Sequence, residues 1–369
     1  MTATAPLEYR SVDWPDGEAP SVIQRAGVAG AGGGGFPSYA KWAAADSAEY
    51  LLMNHQESEP NYRIDKWLGR EHAAELASLF DALLDHVFEV VVVGVKRKDR
   101  DPHMRALEAH TDGTVRMPEE LPLNPDAESG VVFAYTDNKY QYGMESVLLQ
   151  TVAGTVIGND LPIDHGWVVQ NTESLYNIHQ AVTAGKPVLR KYVHVDGVGL
   201  RHRFLDVPVG TPASVLVETA GLDPETIGTD AVLANGGPGW CFAIDESPSE
   251  FGVRKQTNGL LVLDTETAEQ NRLGESRIDA LDAHDWLEQQ IESEPTAQIE
   301  PEFVRVPLIT NPELAGTVQP SEPTVSVGNC VETGDVIAAP AADGVSTPTY
   351  ASIDGTVTDI DDQYITIHR

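Results

Sequence analysis

The stretch GVAGAGGGGFPSYAKW, Gly27 to Trp42, decides the fold. A flexible spacer is the plainer reading of a glycine run, but spacers carry serines and no rigid terminus. This run is short and apolar, closes on Phe36-Pro37 and leads into helix-compatible sequence bearing Lys41. Glycines ahead of a helix let backbone N–H groups approach a phosphate, and the helix N-terminus favours its negative charge. No Gly-Lys-Ser/Thr ends the run, so it is not the Walker phosphate loop.

Outward from the loop, the first half of the chain alternates apolar strands with helical stretches. Tyr50 to Met53, Glu89 to Val95, Val131 to Tyr135 and Trp167 to Val169 read as buried strands. Glu71 to Val87 and Ser174 to Thr183 carry apolar residues at helical spacing. Continuous apolar strands separated by helices indicate a parallel α/β sheet covered on both faces. In such a sheet ligands bind at the carboxyl ends of the strands. Three strand ends here carry amides or carboxylates: Asn54 to Glu59, Asp137-Asn138 and Gln170-Asn171. Each alone reads as a polar loop cap; their coincidence with the glycine loop points to a ligand with N–H, carbonyl and hydroxyl groups.

From about Lys186 the pattern becomes mixed. Val193 to Gly197, Ala231 to Ala234 and Gly259 to Leu263 read as strands, and Ala213 to Ala220 as a short helix. Thr265 to Glu300 is acidic and reads as helical, with a helix expected over Arg277 to Ile291. Beyond Pro301, short Val- and Thr-rich strands alternate with turns, at Val325 to Gly328, Gly334 to Ala338 and Ser352 to Val357, as in a small β-barrel or sandwich.

The charge excludes several function classes. Against 24 basic residues stand 57 acidic ones, a net charge of −33, spread along the whole chain. That excludes nucleic-acid binding by backbone neutralisation and argues against docking on anionic lipid through a polybasic patch. Scarce Lys with abundant Asp and Glu fits a halophilic protein, in which high salt screens the repulsion. Cys241 and Cys330 are the only cysteines, too few for a four-thiolate iron–sulfur cluster or zinc site. Cys241 reads as a small buried residue, and His72, His86, His165, His179 and His194 show no metal-ligand spacing, so no metal site is expected. No apolar run reaches bilayer length, and Met1 to Pro20 lacks the apolar core of a secretory signal, so the reading is a cytoplasmic chain without membrane insertion.

Four ordered motifs carry a resemblance. Gly30 to Trp42 resembles the G-x-G-G-x-G-F-P loop and following Lys of the NADH-oxidising flavoprotein subunit of respiratory complex I, of the C component of the Rnf complex and of propanediol-type cobalamin reductases. Asn54 with Glu57-Ser58-Glu59-Pro60 matches the next motif, Tyr140, Gly143 and Glu145 the third, and Val169-Gln170-Asn171-Thr172 the fourth. The resemblance implies a Rossmann-like parallel-sheet FMN and NADH domain over 1–185, a β-grasp (SLBB-like) module over 186–264, a helical acidic linker over 265–300 and a lipoyl-like barrel-sandwich module over 301–369. The last lacks a modifiable hairpin lysine, which makes it structural. Ala31, Gln56 and Met144 depart from the complex I pattern, and the cysteine-rich region that should lie near 264–300 has no cysteine.

The function so implied is hydride transfer from NADH to FMN, with electrons passed to an acceptor protein or complex subunit, in the cytoplasm or at the periphery of a membrane complex. No iron–sulfur cluster is expected in this chain, and no side chain need act as acid or base. The resemblance places Gly30, Gly32, Gly33, Gly35 and Lys41 at the FMN phosphate. It places Asn54, Glu57, Ser58, Tyr140, Gly143, Glu145, Gln170, Asn171 and Thr172 around the rest of the flavin, Phe36 against the dinucleotide and Glu59 at the nicotinamide. Two alternatives stand beside it. The module order is that of a cobalamin reductase, although no corrin-binding pattern is present, and a docking subunit could keep the fold without catalysis.

Overall fold

The valine run Val90–Lys96 and the apolar Tyr50–His55 are strands β2 and β1 of a five-stranded parallel sheet in the computed structural model. β3 (Thr114–Arg116), β4 (Gly130–Thr136) and β5 (Trp167–Asn171) complete it in the order β3-β4-β2-β1-β5. The structure describes residues 11–197, 199–287 and 290–369, so the first ten residues of the stretch read as lacking a signal lie outside it. The described residues form two compact units. One takes the chain through Val28, Ser38–Ser58 and Asp65–Lys186; the other takes Ala29–Pro37, Glu59–Ile64 and Pro187–Arg369.

In the first unit the strands are apolar throughout because both faces are covered. Leu148, Leu149 and Val152 of helix α6 (Glu145–Ala153) pack on Tyr50, Leu52, Val90, Val92 and Val132. Leu51, Met53, Val91 and Val93, which alternate with these, are fully buried as well. α4 (Ala73–His86) lies against β2, and α7 (Thr172–Ala184) against β1 and β5. Shorter helices are α1 (Ala19–Arg25), α2 (Ser38–Trp42), α3 (Ile64–Glu71) and α5 (Arg105–Thr111). The chain winds outward from β1 to β2 and β4, then returns to place β5 on the other side of β1. The crossing direction therefore reverses between β1 and β5, where a ligand crevice opens in this class of sheet. The helix after the glycine run, α2, has only five residues and supplies little dipole, so any charge preference of the loop rests on its own N–H groups.

The second unit holds a mixed sheet ordered β11-β12-β9-β8-β10-β6-β7-β13. Its strands are β6 (Arg190–Gly197), β7 (Arg203–Pro208), β8 (Ala231–Gly237), β9 (Trp240–Ala243), β10 (Gly259–Asp264), β11 (Arg272–Leu273), β12 (Arg277–Ile278) and β13 (Ala297–Gln298). β6 and β10 pair in parallel, and α8 (Ala213–Thr219) packs Leu216 and Val217 onto Val193, Val195, Leu205 and Leu260, as expected of a β-grasp. Two expectations fail here. Residues 265–300 are not a helical linker: among the described residues only α9 (Thr265–Gln270) is helical, and β11 to β13 join the sheet. The helix expected over Arg277 to Ile291 is absent from its described residues, and positions 288 and 289 lie outside them. Ile278 of β12 and Ala280 and Trp286 of the irregular segment after it are buried, with the Trp286 indole N–H donating to Ala280 O at 3.0 Å.

The same unit ends in two small sheets around one core. β14 (Phe303–Pro307), β16 (Cys330–Val331), β19 (Gly355–Ile360) and β20 (Tyr364–His368) form one, in the order β14-β20-β19-β16. β15 (Glu322–Pro323), β17 (Val336–Ala339) and β18 (Thr349–Tyr350) form the other. Val304, Val306, Ile337, Val357, Ile365 and Ile367 fill the space between, a sandwich as expected. Val325 to Gly328, expected as a strand, is a turn: Asn329 Oδ1 accepts the Ser326 N–H at 2.9 Å and Gly328 takes φ +94°.

Candidate functional site

Asn54 and Asn171 are register partners at the ends of β1 and β5, where the winding reverses. Each amide is held by its own set of bonds. Asn54 Nδ2 donates to Gly143 O at 2.9 Å, and its Oδ1 accepts the Gln56 N–H at 3.2 Å. Asn171 caps α7, its Oδ1 accepting the Glu173 and Ser174 N–H groups at 2.9 and 3.4 Å, while Nδ2 donates to Asp65 Oδ2 at 2.9 Å. Thr172 Oγ1 lies 2.8 Å from His55 Nδ1. Gln170 Nε2 donates to Ser38 Oγ at 3.1 Å, but its buried Oε1 meets no hydrogen-bond donor among the described residues. A buried acceptor in that condition is costly unless a ligand N–H completes it.

Glu57 stands at φ +35°, a backbone region that L-residues seldom adopt. The turn aims its carboxylate at the start of α3, where it accepts the Asp65 and Lys66 N–H groups at 3.0 and 3.3 Å. Lys66 Nζ lies 3.8 Å from Glu57 and 3.9 Å from Asp99, with all three side chains buried. Ser58 Oγ accepts from Lys96 Nζ at 3.1 Å. A Cβ on Gly143 would sit 2.6 Å from that same Oγ, so only glycine lets the one-turn helix Tyr140–Gly143 close on Ser58. Lys41 Nζ donates to Glu145 Oε2 at 2.9 Å and to Val169 O at 3.2 Å.

The first unit thus links Lys41 with Glu145, Asn54 with Gly143 and Ser58, and Glu57 with Asn171 through Asp65. Gly30, Gly32, Gly33, Gly35, Phe36 and Glu59 belong to the second unit. There the loop folds on itself, Gly30 N–H donating to Phe36 O and Gly35 N–H to Gly30 O, both at 2.8 Å. Gly32, Gly33 and Gly34 are exposed, and their N–H groups bond no other described residue. Gly33 takes φ +93°, and neither it nor Gly34 has an atom within 4 Å of where a Cβ would stand. Glu59 is buried, its Oε2 accepting the Gly239 N–H at 2.9 Å. A Cβ on Gly237 would lie 2.5 Å from Glu59 Cγ, so the hairpin between β8 and β9 closes over this side chain.

Sequence reading missed Lys96 and Lys66. Lys96 ends the valine run of β2, is buried, and has its pKa pushed down to about 8, first by burial and then by the Lys66 charge. Its signal was position: it is a charge at the carboxyl end of a strand with no polar residue before it. His55 is held neutral, its pKa pushed down to about 3 by burial, with Lys66 and His103 adding to the effect. Burial also raises the Cys241 thiol to about 12, in keeping with an inert buried residue.

Comparison with known proteins places this architecture. The chain is 32% identical over 245 residues to cobalamin reductase PduS of Salmonella typhimurium, covering 65% of this chain and 49% of that protein. It is 31% identical over 229 residues to the C component of the ion-translocating oxidoreductase complex of Pseudomonas aeruginosa, covering 61% of this chain and 27% of that one. The C component of the Na(+)-translocating ferredoxin:NAD(+) oxidoreductase complex of Acetobacterium woodii is 24% identical over 267 residues, covering 70% and 56%. The chain therefore spans about half of these curated relatives or less. Its fold is similar to a chain of the NAD+-reducing [NiFe]-hydrogenase in the H2-reduced state, with a TM-score of 0.51 at 21% identity over 67% of this chain and 46% of that one. The Nuo51 FMN-binding domain model matches residues 23–180, the span that contains the parallel sheet and the paired asparagines.

Proposed function

We propose that the chain is an FMN-dependent electron-transfer flavoprotein that takes hydride from NADH and passes electrons to a partner protein. The observation that carries this reading is the pairing of Asn54 and Asn171 at the reversal point of a Nuo51-type sheet, next to the unsatisfied acceptor of Gln170. When bound, FMN supplies two-electron acceptance and one-electron release, and the protein supplies binding and orientation. Gln170 Oε1 offers an acceptor for a ring N–H, and the bonded amides of Asn54 and Asn171 are fixed before a ligand arrives. The exposed N–H groups of Gly32 to Gly34 offer a phosphate site built from backbone alone. Glu57, buried under α3, supports this frame. The role of Glu59 at the nicotinamide is carried only by its motif, because its carboxylate is engaged by Gly239.

Cobalamin reduction is the second reading, favoured by the likeness to PduS and by a sandwich module that follows the flavin domain. A complex partner is proposed because the other relatives are named as parts of complexes, and no described helix is long and apolar enough to cross a membrane. The test is to purify the protein in molar salt, reconstitute it with FMN and add NADH anaerobically. Bleaching of the flavin band supports NADH oxidation. Flavin retained but unbleached leaves a docking role, and recovery of FAD or of no flavin overturns the proposal. Cob(II)alamin or cob(III)alamin added to the bleached protein separates the second reading from the first.

A further inference from the structure

The sandwich module that closes the chain reaches the glycine loop directly within the second unit. Asn311, buried at 5% exposure just after β14, donates from Nδ2 to Gly34 O at 3.0 Å. Its Oδ1 accepts the Glu313 N–H at 3.0 Å and so caps the short turn Pro312–Leu314, which fixes the direction of the amide. Gly35 has no space for a side chain: a Cβ there would lie 2.6 Å from Asn311 Cβ, 3.1 Å from Thr310 O and 3.3 Å from Gln256 Cβ. The inner half of the loop is therefore clamped, while Gly32 to Gly34 keep their exposed N–H groups on the outer half.

A backbone anion site works only if consecutive N–H groups converge, and nothing inside a run of glycines enforces that convergence. Gly30 bonds to Gly35 and Phe36 close the base of the loop, and the Asn311 bond pins the carbonyl of the Gly34–Gly35 peptide, whose N–H already bonds Gly30 O; that plane is held at both ends and is the fixed anchor from which the next peptide, carrying the Gly34 N–H, projects. We infer that Asn311 is a positioning residue for the phosphate end of the flavin, and that the sandwich module shapes the phosphate loop. This rests on the FMN reading above. It gives the module a task at the cofactor site without a swinging lysine.

The experiment titrates FMN and riboflavin, which lacks the phosphate, into the flavin-free full chain, with thermal melting measured in parallel. Asn311→Asp keeps the size and the cap acceptor but loses the donor to Gly34 O; Asn311→Ala removes both without adding charge. Both variants are expected to weaken FMN about tenfold, the worth of one good hydrogen bond to a fixed group, while riboflavin affinity stays within about twofold. Asn329→Ala, which breaks a side-chain bond to Ser326 elsewhere in the same module, is expected to change neither. Unchanged FMN affinity in the Asn311 variants overturns the inference. So does an equal loss of both ligands together with a lower melting temperature, which marks a purely structural contact. A wild-type chain that binds FMN no better than riboflavin overturns instead the phosphate reading on which the inference stands.

Discussion

The strand ends of the first unit and the glycine loop of the second hold their polar groups in opposite ways. At the strand ends nearly every polar side chain is already bonded: Asn54 to Gly143, Asn171 to Glu173 and Asp65, Glu57 to the first turn of α3. In the loop no side chain takes part, and the groups on offer are backbone N–H groups at Gly32, Gly33 and Gly34. The first is rigid because it is crowded; the second is shaped by a contact made at its base. Substitutions at the strand ends should therefore be read out first in stability, and substitutions on the loop first in ligand affinity.

The largest expected effect lies on the loop. Gly33→Leu places a side chain over the open face, and FMN affinity is expected to fall on the order of 10²-fold, about 3 kcal/mol. The fold should lose only about 1 kcal/mol, for the left-handed backbone, since nothing lies within 4 Å of the new Cβ. Equilibrium dialysis and urea melts measure the two, and a large stability loss with intact binding would reverse the contrast. Glu57→Gln tests the other region. It leaves the buried Lys66 with less counter-charge and weakens two bonds at α3, so urea unfolding should report about 2–3 kcal/mol lost.

A pH series sharpens the same point. His55 is neutral in the fold, with its pKa near 3, but titrates near its ordinary value of 6.5 once unfolded. The unfolded chain then binds the extra proton between those values, so this histidine's contribution is complete above about 6.5 and is lost as pH falls towards 3. The slope is about 1.4 kcal/mol per pH unit in the middle of that window, and a His55→Gln chain should lack it. The smallest effect is expected at Lys41→Gln. Its partner Glu145 and Lys41 itself are each about one-third exposed, at 38% and 35%, so the unfolding free energy should move by no more than about 0.5 kcal/mol. A shift above about 2 kcal/mol would place Lys41 with the structural residues rather than with the ligand-facing ones.

The sequence made the sheet legible where its physics is local. β1, β2, β4 and β5 are each built on an unbroken apolar run, which a doubly covered parallel sheet needs. β3 escaped because Thr114–Arg116 is a three-residue edge strand with no fully buried side chain. The Val and Ser alternation at Val325 to Gly328 imitates a strand until Asn329 folds it back, and Ile278 and Trp286 imitate a helix face while packing from a two-residue strand and a loop. The candidate site residues stood out as motifs, but the partners that hold them did not. Nothing near Asn54 in the chain announces Gly143, and nothing near Gly35 announces Asn311. A charge such as Lys96 at the end of a strand is the local signal that sequence reading should weigh more heavily.

The bond between Asn311 and Gly34 joins residues 277 positions apart, and that separation has a meaning in time. At about 5–20 residues per second of synthesis, the glycine loop leaves the ribosome roughly 14–55 s before the residue that shapes it. Cofactor loading that depends on the finished loop must then wait until Asn311 has been made, and a nascent chain truncated before Asn311 should hold FMN at least about tenfold more weakly even with its entire parallel sheet already made.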